Sequence, residues 1–223
     1  MKKIILILLF SICTFAQREK PKYIFDKDNN LIKIEGLYVY NLSVKFPEYA
    51  MGYEKNKDSG LIYRFNVPKF NLYKFNFKNI KDTLQIICNR KFTDSSVFII
   101  HYYHKDDNCS DYYDNNMTKS KIRDIKGIGL NNVKKNINLK NIIFIVLFEE
   151  GIILKNKPLD KNEYFFSDTN NYFKQNIFKD ATLCGSNAII HIDGNILVRN
   201  GEHRPDLMLA YLKPETWNSI FKE

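Results

Sequence analysis

Two unbroken apolar runs of strand length dominate the second half of the chain, SVFIIHYYH at 96–104 and NIIFIVLF at 141–148. Runs without polar alternation imply strands buried on both faces, as in a sheet covered by helices on either side. Between them, a polar stretch containing Cys109 leads into a helix-compatible segment that reaches about residue 136, interrupted by Gly127 and Gly129. Further on, Ser167 or Asp168 can cap the segment DTNNYFKQNIF, in which Tyr172, Phe173, Ile177 and Phe178 share one helical face. NAIIHI and ILVRN flank Asp193-Gly194-Asn195 and read as a β-hairpin. Pro205 and Pro214 each sit where a helix begins, the one helical position that tolerates proline. The order strand, helix, strand, helix, hairpin, helix predicts an α/β fold with a central sheet and flanking helices.

The preceding part of the chain has a different texture. KYIF, the turn DKDNN and the run LIKIEGLYVYNLSVKF predict a hairpin, because Asp and Asn supply turn chemistry between β-branched and aromatic stretches. LIYRFNV, FNLYKFNF and DTLQIIC follow as short, roughly alternating strands, with Pro68 between the first two. The segment from Asp26 to Asn30 starts like a calcium loop. Leu31 stands where that loop needs glycine and Leu37 where it needs a bidentate glutamate, so a plain turn is the reading.

At the start of the chain, Lys2 and Lys3 precede an apolar stretch from Ile4 to Cys13, and Thr14-Phe15-Ala16 supplies small residues. This pattern predicts a secretory signal peptide cleaved after Ala16, with the apolar run too short to remain as a membrane span. A lipid anchor on Cys13 would need a small residue at position 12, where the chain has Ile. The expected organisation is therefore a signal peptide at 1–16, a β-rich segment at 17–90 and an α/β domain at 91–223, exported to the periplasm or beyond. Abundant Lys, Asn and Ile, with Gln17 as the new N-terminus, resembles secreted proteins of the Bacteroidetes.

The formal charge is +9, yet the basic residues are scattered among acids, which argues against a nucleic-acid surface. No Gly-rich phosphate loop, nucleophile-elbow serine or helical pair of zinc histidines is present, and Glu149-Glu150 at a strand end reads as solvated. No cofactor is implied. The partner is expected to be a protein of unspecified identity. Loss of Cys13 with the signal peptide leaves Cys88, Cys109 and Cys184, an odd count in an oxidising compartment.

SVFIIHYYHKDDNCSDY resembles the strand and redox-loop segment of the thioredoxin-like fold. CGSNAIIHIDGNILVRNG resembles the loop and hairpin before that fold's last helix. The resemblance covers roughly residues 90–223. It departs at two places: Cys109-Ser110-Asp111-Tyr112 lacks the second cysteine of the redox motif, and Ser186-Asn187 stands where the family carries a cis-proline. In that fold the hairpin loop lies against the redox loop, which implies that Cys184 lies near Cys109. The pair then serves as a structural disulfide in a non-catalytic module, as a redox couple, or as two separate thiols. An enzyme would use Cys109 as nucleophile, favoured if a helix begins there, and Cys184 as resolving partner. His101 would lie near the family's buried proton-relay carboxylate. Asp106, Asp107 and Asp111 disfavour a thiolate at Cys109. A weaker reading is copper or zinc handling by Cys109, Cys184, His101, His104 and His191. His203, beside Arg204 and Pro205, belongs to a polar turn.

Overall fold

Both unbroken apolar runs form strands in the middle of one sheet, where neighbouring strands and helices on either face remove them from water. The structure, a computed structural model, describes residues 23–32, 44–109, 115–128, 131, 141–155 and 163–222. The first strands are β1 (Tyr23–Phe25), β2 (Tyr49–Asn56), β3 (Gly60–Pro68) and β4 (Phe70–Lys74), followed by helix α1 (Phe77–Cys88). Then come β5 (Val97–Tyr103), β6 (Asn116–Met117), α2 (Lys119–Ile128), β7 (Ile142–Glu149), β8 (Ile153–Leu154) and β9 (Phe165–Asp168). The chain ends with α3 (Tyr172–Asn176), the hairpin β10 (Ser186–Ile190) and β11 (Asn195–Asn200), a 3-10 helix (Pro205–Leu212) and α4 (Pro214–Ile220).

The main sheet has six strands in the order β4-β11-β10-β5-β7-β9. β5, β7 and β9 are parallel, and β10, β11 and β4 join antiparallel. The protein is thus mixed α/β, with a central mixed sheet and flanking helices. Side chains alternate across the sheet. Ile80, Leu84, Phe98, Ile100, Tyr102, Phe173 and Phe178 fill one layer beneath α1 and α3. Ile99, Tyr103, Ile122, Phe148, Met208 and Trp217 fill the other beneath α2, the 3-10 helix and α4.

DTLQIIC, expected as a strand, is the second half of helix α1. The β-branched residues suggested a strand, but Ile80, Leu84 and Cys88 recur every four residues and lie buried on one face. Asn76 starts the helix by accepting the Asn79 N–H at 3.3 Å, and Asn89, in the left-handed region at φ 49°, ends it. Cys88 is free and buried in the layer under α1, and burial pushes its thiol up to about 12.

Tyr172–Asn176 forms the expected helix, with Phe173, Ile177 and Phe178 buried. Asp168, the last residue of β9, accepts the N–H groups of Phe173 at 3.1 Å and Lys174 at 2.9 Å. It therefore serves the first turn from several residues upstream rather than as the residue adjoining it. The Tyr102 hydroxyl donates to the same carboxylate at 2.9 Å, and burial outweighs these bonds to raise the pKa of Asp168.

A second, three-stranded sheet of order β1-β3-β2 lies outside the main one. Ile24, Met51, Leu61, Tyr63 and Phe65 form its apolar core and pack on Leu183 and Cys184. The turn from Asp26 to Asn30 is an Asx turn: the Asp26 carboxylate accepts the N–H groups of Asp28 at 2.9 Å and Asn30 at 2.8 Å. The run between Ile32 and Val44 and the signal-peptide segment lie outside the described residues. Among those described, no helix is long and apolar enough to cross a membrane.

Candidate functional site

Cys109 leaves the C-terminal end of β5 on the segment Lys105–Cys109, and Cys184 sits two residues before β10. β10 pairs directly with β5, Ser186 opposite Tyr102, so the two loops emerge side by side. A disulfide joins Cys109 to Cys184, with Cα atoms 5.0 Å apart and a sequence separation of 75. Cys184 has φ 65° and Gly185 φ 72°. A Cβ on Gly185 would come 2.4 Å from the Tyr102 carbonyl, so this close passage over β5 requires glycine.

One carboxylate holds both arms. Asp107, almost fully buried, accepts the Cys109 N–H at 2.9 Å and the Cys184 N–H at 3.2 Å on Oδ1. Its Oδ2 accepts the Gly185 N–H at 2.9 Å. The bond to Cys109 has the two-residue spacing of an Asx turn and was open to a sequence reading. The bonds to Cys184 and Gly185 span more than 70 residues and were not. Asp106 faces outward and exchanges hydrogen bonds with Asn115 at 2.9 and 2.7 Å, while Asp111 lies outside the described residues. Helix α2 begins only at Lys119, so the expected helix start at Cys109 is not where the described helix lies.

The small sheet covers the same place. Leu183 N–H donates to the Met51 carbonyl at 3.0 Å, Tyr53 N–H donates to the Ala181 carbonyl at 3.1 Å, and Gly52 bridges Thr182 antiparallel. The Tyr53 hydroxyl donates to the Lys105 carbonyl at 2.5 Å, so one residue clasps the Cys109 arm and the Cys184 arm together. Burial, and then the charge of Asp107, holds this phenol well above its ordinary pKa. Nothing in the local sequence of β2 marked Tyr53, because its role depends on where the small sheet docks.

Beneath the disulfide loop lies a buried polar network. The Thr182 hydroxyl donates to the Gly185 carbonyl at 2.9 Å and accepts the Gly201 N–H at 3.2 Å. Ser186 Oγ lies 2.9 Å from Thr182 Oγ1 and donates to Asn200 Oδ1 at 3.1 Å. His104 stands between Ser186 Oγ, 3.5 Å from Nε2, and Glu149 Oε2, 3.6 Å from Nδ1. The order Ser186–His104–Glu149 is that of a nucleophile triad. Ser186 is fully buried and its hydroxyl is engaged by Thr182 and Asn200, and the His104 side chain is enclosed as well. Burial lowers the pKa of His104. At Glu149 burial acts upward, but the nearby His104 imidazole and the bond from the Lys105 N–H at 3.0 Å prevail and hold its carboxyl low.

His101 is interior, 6% exposed, on the opposite face of β5 from His104's neighbour Tyr102. Its Nδ1 lies 2.7 Å from Asn187 Oδ1, and the Asn187 amide donates to the His203 carbonyl at 2.9 Å. That amide orientation leaves Oδ1 as acceptor, which assigns the proton to Nδ1 of His101. Nε2 then carries the lone pair on the side of Gly185. Burial pushes the His101 pKa down to about 4, against the bond to Asn187. The ring is therefore neutral near pH 7.

This burial has a consequence in acid. Unfolded His101 takes its proton near 6.5, whereas the folded ring resists it until about 4. The stabilisation is complete above the unfolded value and is lost as pH falls through that window, amounting to about 2–3 kcal/mol by pH 4.5. His104 and His203 are lowered in the same direction, and the raised Asp168 acts oppositely. Urea unfolding at pH 7 and pH 4.5 is expected to show this drop, and His101→Gln to flatten it. An unchanged pH slope in His101→Gln would remove His101 as its source.

Among the described residues, no group of three or more His, Cys, Asp and Glu side chains is arranged to hold a metal ion. Both cysteine sulfurs are committed to each other, and His191 lies in the hairpin turn with Nδ1 3.1 Å from Asp193. No family model, no curated protein and no solved structure matches the chain.

Proposed function

We propose that this protein is an exported, non-catalytic binding or structural module on a thioredoxin-like frame, stapled permanently by Cys109–Cys184. The parallel pair β5–β7, the hairpin β10–β11 and the closing helix support that frame. One departure is that β9, which follows β7 in sequence, forms the edge beyond it. The observation that carries the functional reading is the carboxylate of Asp107 on the N–H groups of both cysteines. A fixed negative charge there opposes formation of a thiolate at either sulfur, and thiol–disulfide exchange runs through the thiolate. The clasp of Tyr53 across the two loops adds cover on the same side. The signal-peptide pattern and a disulfide suit an oxidising compartment.

The test is an insulin-reduction assay beside a redox titration of the purified protein. No turnover above background is expected, with a midpoint below about −300 mV, the range of structural disulfides. Catalysed reduction lost in Cys109→Ser, with a midpoint above about −250 mV, would establish a redox couple instead.

A further inference from the structure

The two ends of the six-stranded sheet are treated differently. β9 at one end is short and largely buried, and the Arg90 side chain reaches the Glu163 carbonyl beside it. β4 at the other end exposes Phe70 by 40% and Leu72 by 49%. Its inner edge is fixed by β11: the Phe75 N–H donates to the Gly194 carbonyl and the Lys69 carbonyl accepts the Asn200 N–H. Backbone groups alternate sides along a strand, so those of residues 69, 71, 73 and 75 face β11. The N–H and C=O groups of Phe70, Leu72 and Lys74 face outward, and no described residue pairs with them.

The side chains of Leu72 and Lys74 also border a groove of about 600 Å³, whose other walls include Asn195, Ile220, Phe221 and Lys222. Phe70 continues the apolar strip and packs edge-on against Tyr211, with the Arg199 guanidinium 5.3 Å from its ring. The charged residues that line this strip are cationic, and the nearest acid, Asp193, gives its carbonyl to Lys74 Nζ at 2.9 Å and its carboxylate to Asn195 and Trp217. Lys74 and Lys222 stand at one end, and none of the described groove residues is acidic. At the other end Lys69 and Arg199 lie close enough that, after burial, the charge of Arg199 lowers the pKa of Lys69. Lysine alone commonly blunts a sheet edge against pairing. Here the cations bracket two exposed apolar side chains and a row of open backbone groups, which is a binding surface with a charge requirement.

We infer that the outer edge of β4 binds an extended acidic peptide as an added strand. The peptide's backbone pairs with Phe70, Leu72 and Lys74, apolar side chains enter the groove against Leu72, Ile220 and Phe221, and carboxylates meet the cations at either end. This deepens the binding-module reading and rests on it. The redox assay addresses the disulfide and peptide binding addresses the edge, so either can fail alone.

The probe is a fluorescein-labelled nine-residue peptide, Glu-Glu-Val-Thr-Val-Thr-Val-Glu-Glu, titrated with the full mature protein and followed by fluorescence anisotropy. Saturable binding is expected, weakened at least about tenfold in Lys74→Glu/Lys222→Glu and weakened by added salt. Leu72→Pro removes the central outward donor at an edge position where the sheet tolerates proline, and is expected to abolish binding. N-methylation of alternate peptide amides must abolish it too, a control that needs no variant. Absence of binding, binding that survives N-methylation, or equal binding of a peptide with Lys for Glu would overturn the inference. So would a dimer in sedimentation that Leu72→Pro makes monomeric, since the occupant would then be a second copy.

Discussion

Removing the disulfide, as Cys109→Ser/Cys184→Ser, is expected to lower the stability by about 4 kcal/mol, close to a 2 M shift in the urea midpoint. The bond joins residues separated by 75 positions, and closing so long a loop removes much freedom from the unfolded chain. The native loops should persist without it, because Asp107 and Tyr53 hold them by other bonds. Near-UV circular dichroism should therefore remain native-like while the unfolding midpoint falls. Cys88→Ala, which empties only a thiol-sized space under α1, should cost about 1 kcal/mol and leave the disulfide intact. A midpoint unmoved by loss of Cys109 and Cys184 would mean that the unfolded chain is already confined, and the staple would have no thermodynamic role.

The parts of this fold that could be read in the sequence are those whose burial is uniform or whose turns are chemical. SVFIIHYYH and NIIFIVLF announce strands because helices cover both faces, and Asp193-Gly194-Asn195 announces the hairpin because Gly194, at φ 83°, is the residue that the turn needs. FKNIKDTLQIIC was harder. Its last residues alternate well enough to suggest a strand, and only the four-residue recurrence of Ile80, Leu84 and Cys88 identifies the helix. YAMGYEKN carries no pattern of its own. It is a strand because β3 pairs with it and because its Met51–Tyr53 stretch finds partners at 181–183. The proximity of Cys109 and Cys184 followed from the thioredoxin-like resemblance, not from any local signal. Asp107 was legible as a charge near Cys109. Its bonds to Cys184 and Gly185 depend on tertiary closure that no local pattern encodes.

Asp107→Ala is expected to cost about 3–4 kcal/mol, nearly as much as losing the disulfide it adjoins. Three N–H groups lose their acceptor, and that of Gly185 is buried where water cannot replace it. Asp107→Asn keeps the shape, and Oδ1 can still accept from both cysteines, but its NH₂ then faces the Gly185 N–H, donor against donor. A cost of about 2 kcal/mol is expected there. The two substitutions share an effect on chemistry. With the carboxylate gone, the thiols of the reduced protein should ionise more readily, so alkylation at neutral pH should be faster than in the reduced parent. Combining Asp107→Ala with Cys109→Ser/Cys184→Ser separates a single clasp from two independent devices. If the carboxylate and the disulfide each suffice to keep the same two loops closed, only loss of both lets them open. The combined destabilisation should then exceed additivity by about 1 kcal/mol or more. Strict additivity would show that Asp107 satisfies backbone donors without holding the loops together. Its charge would then maintain the staple through thiol acidity alone.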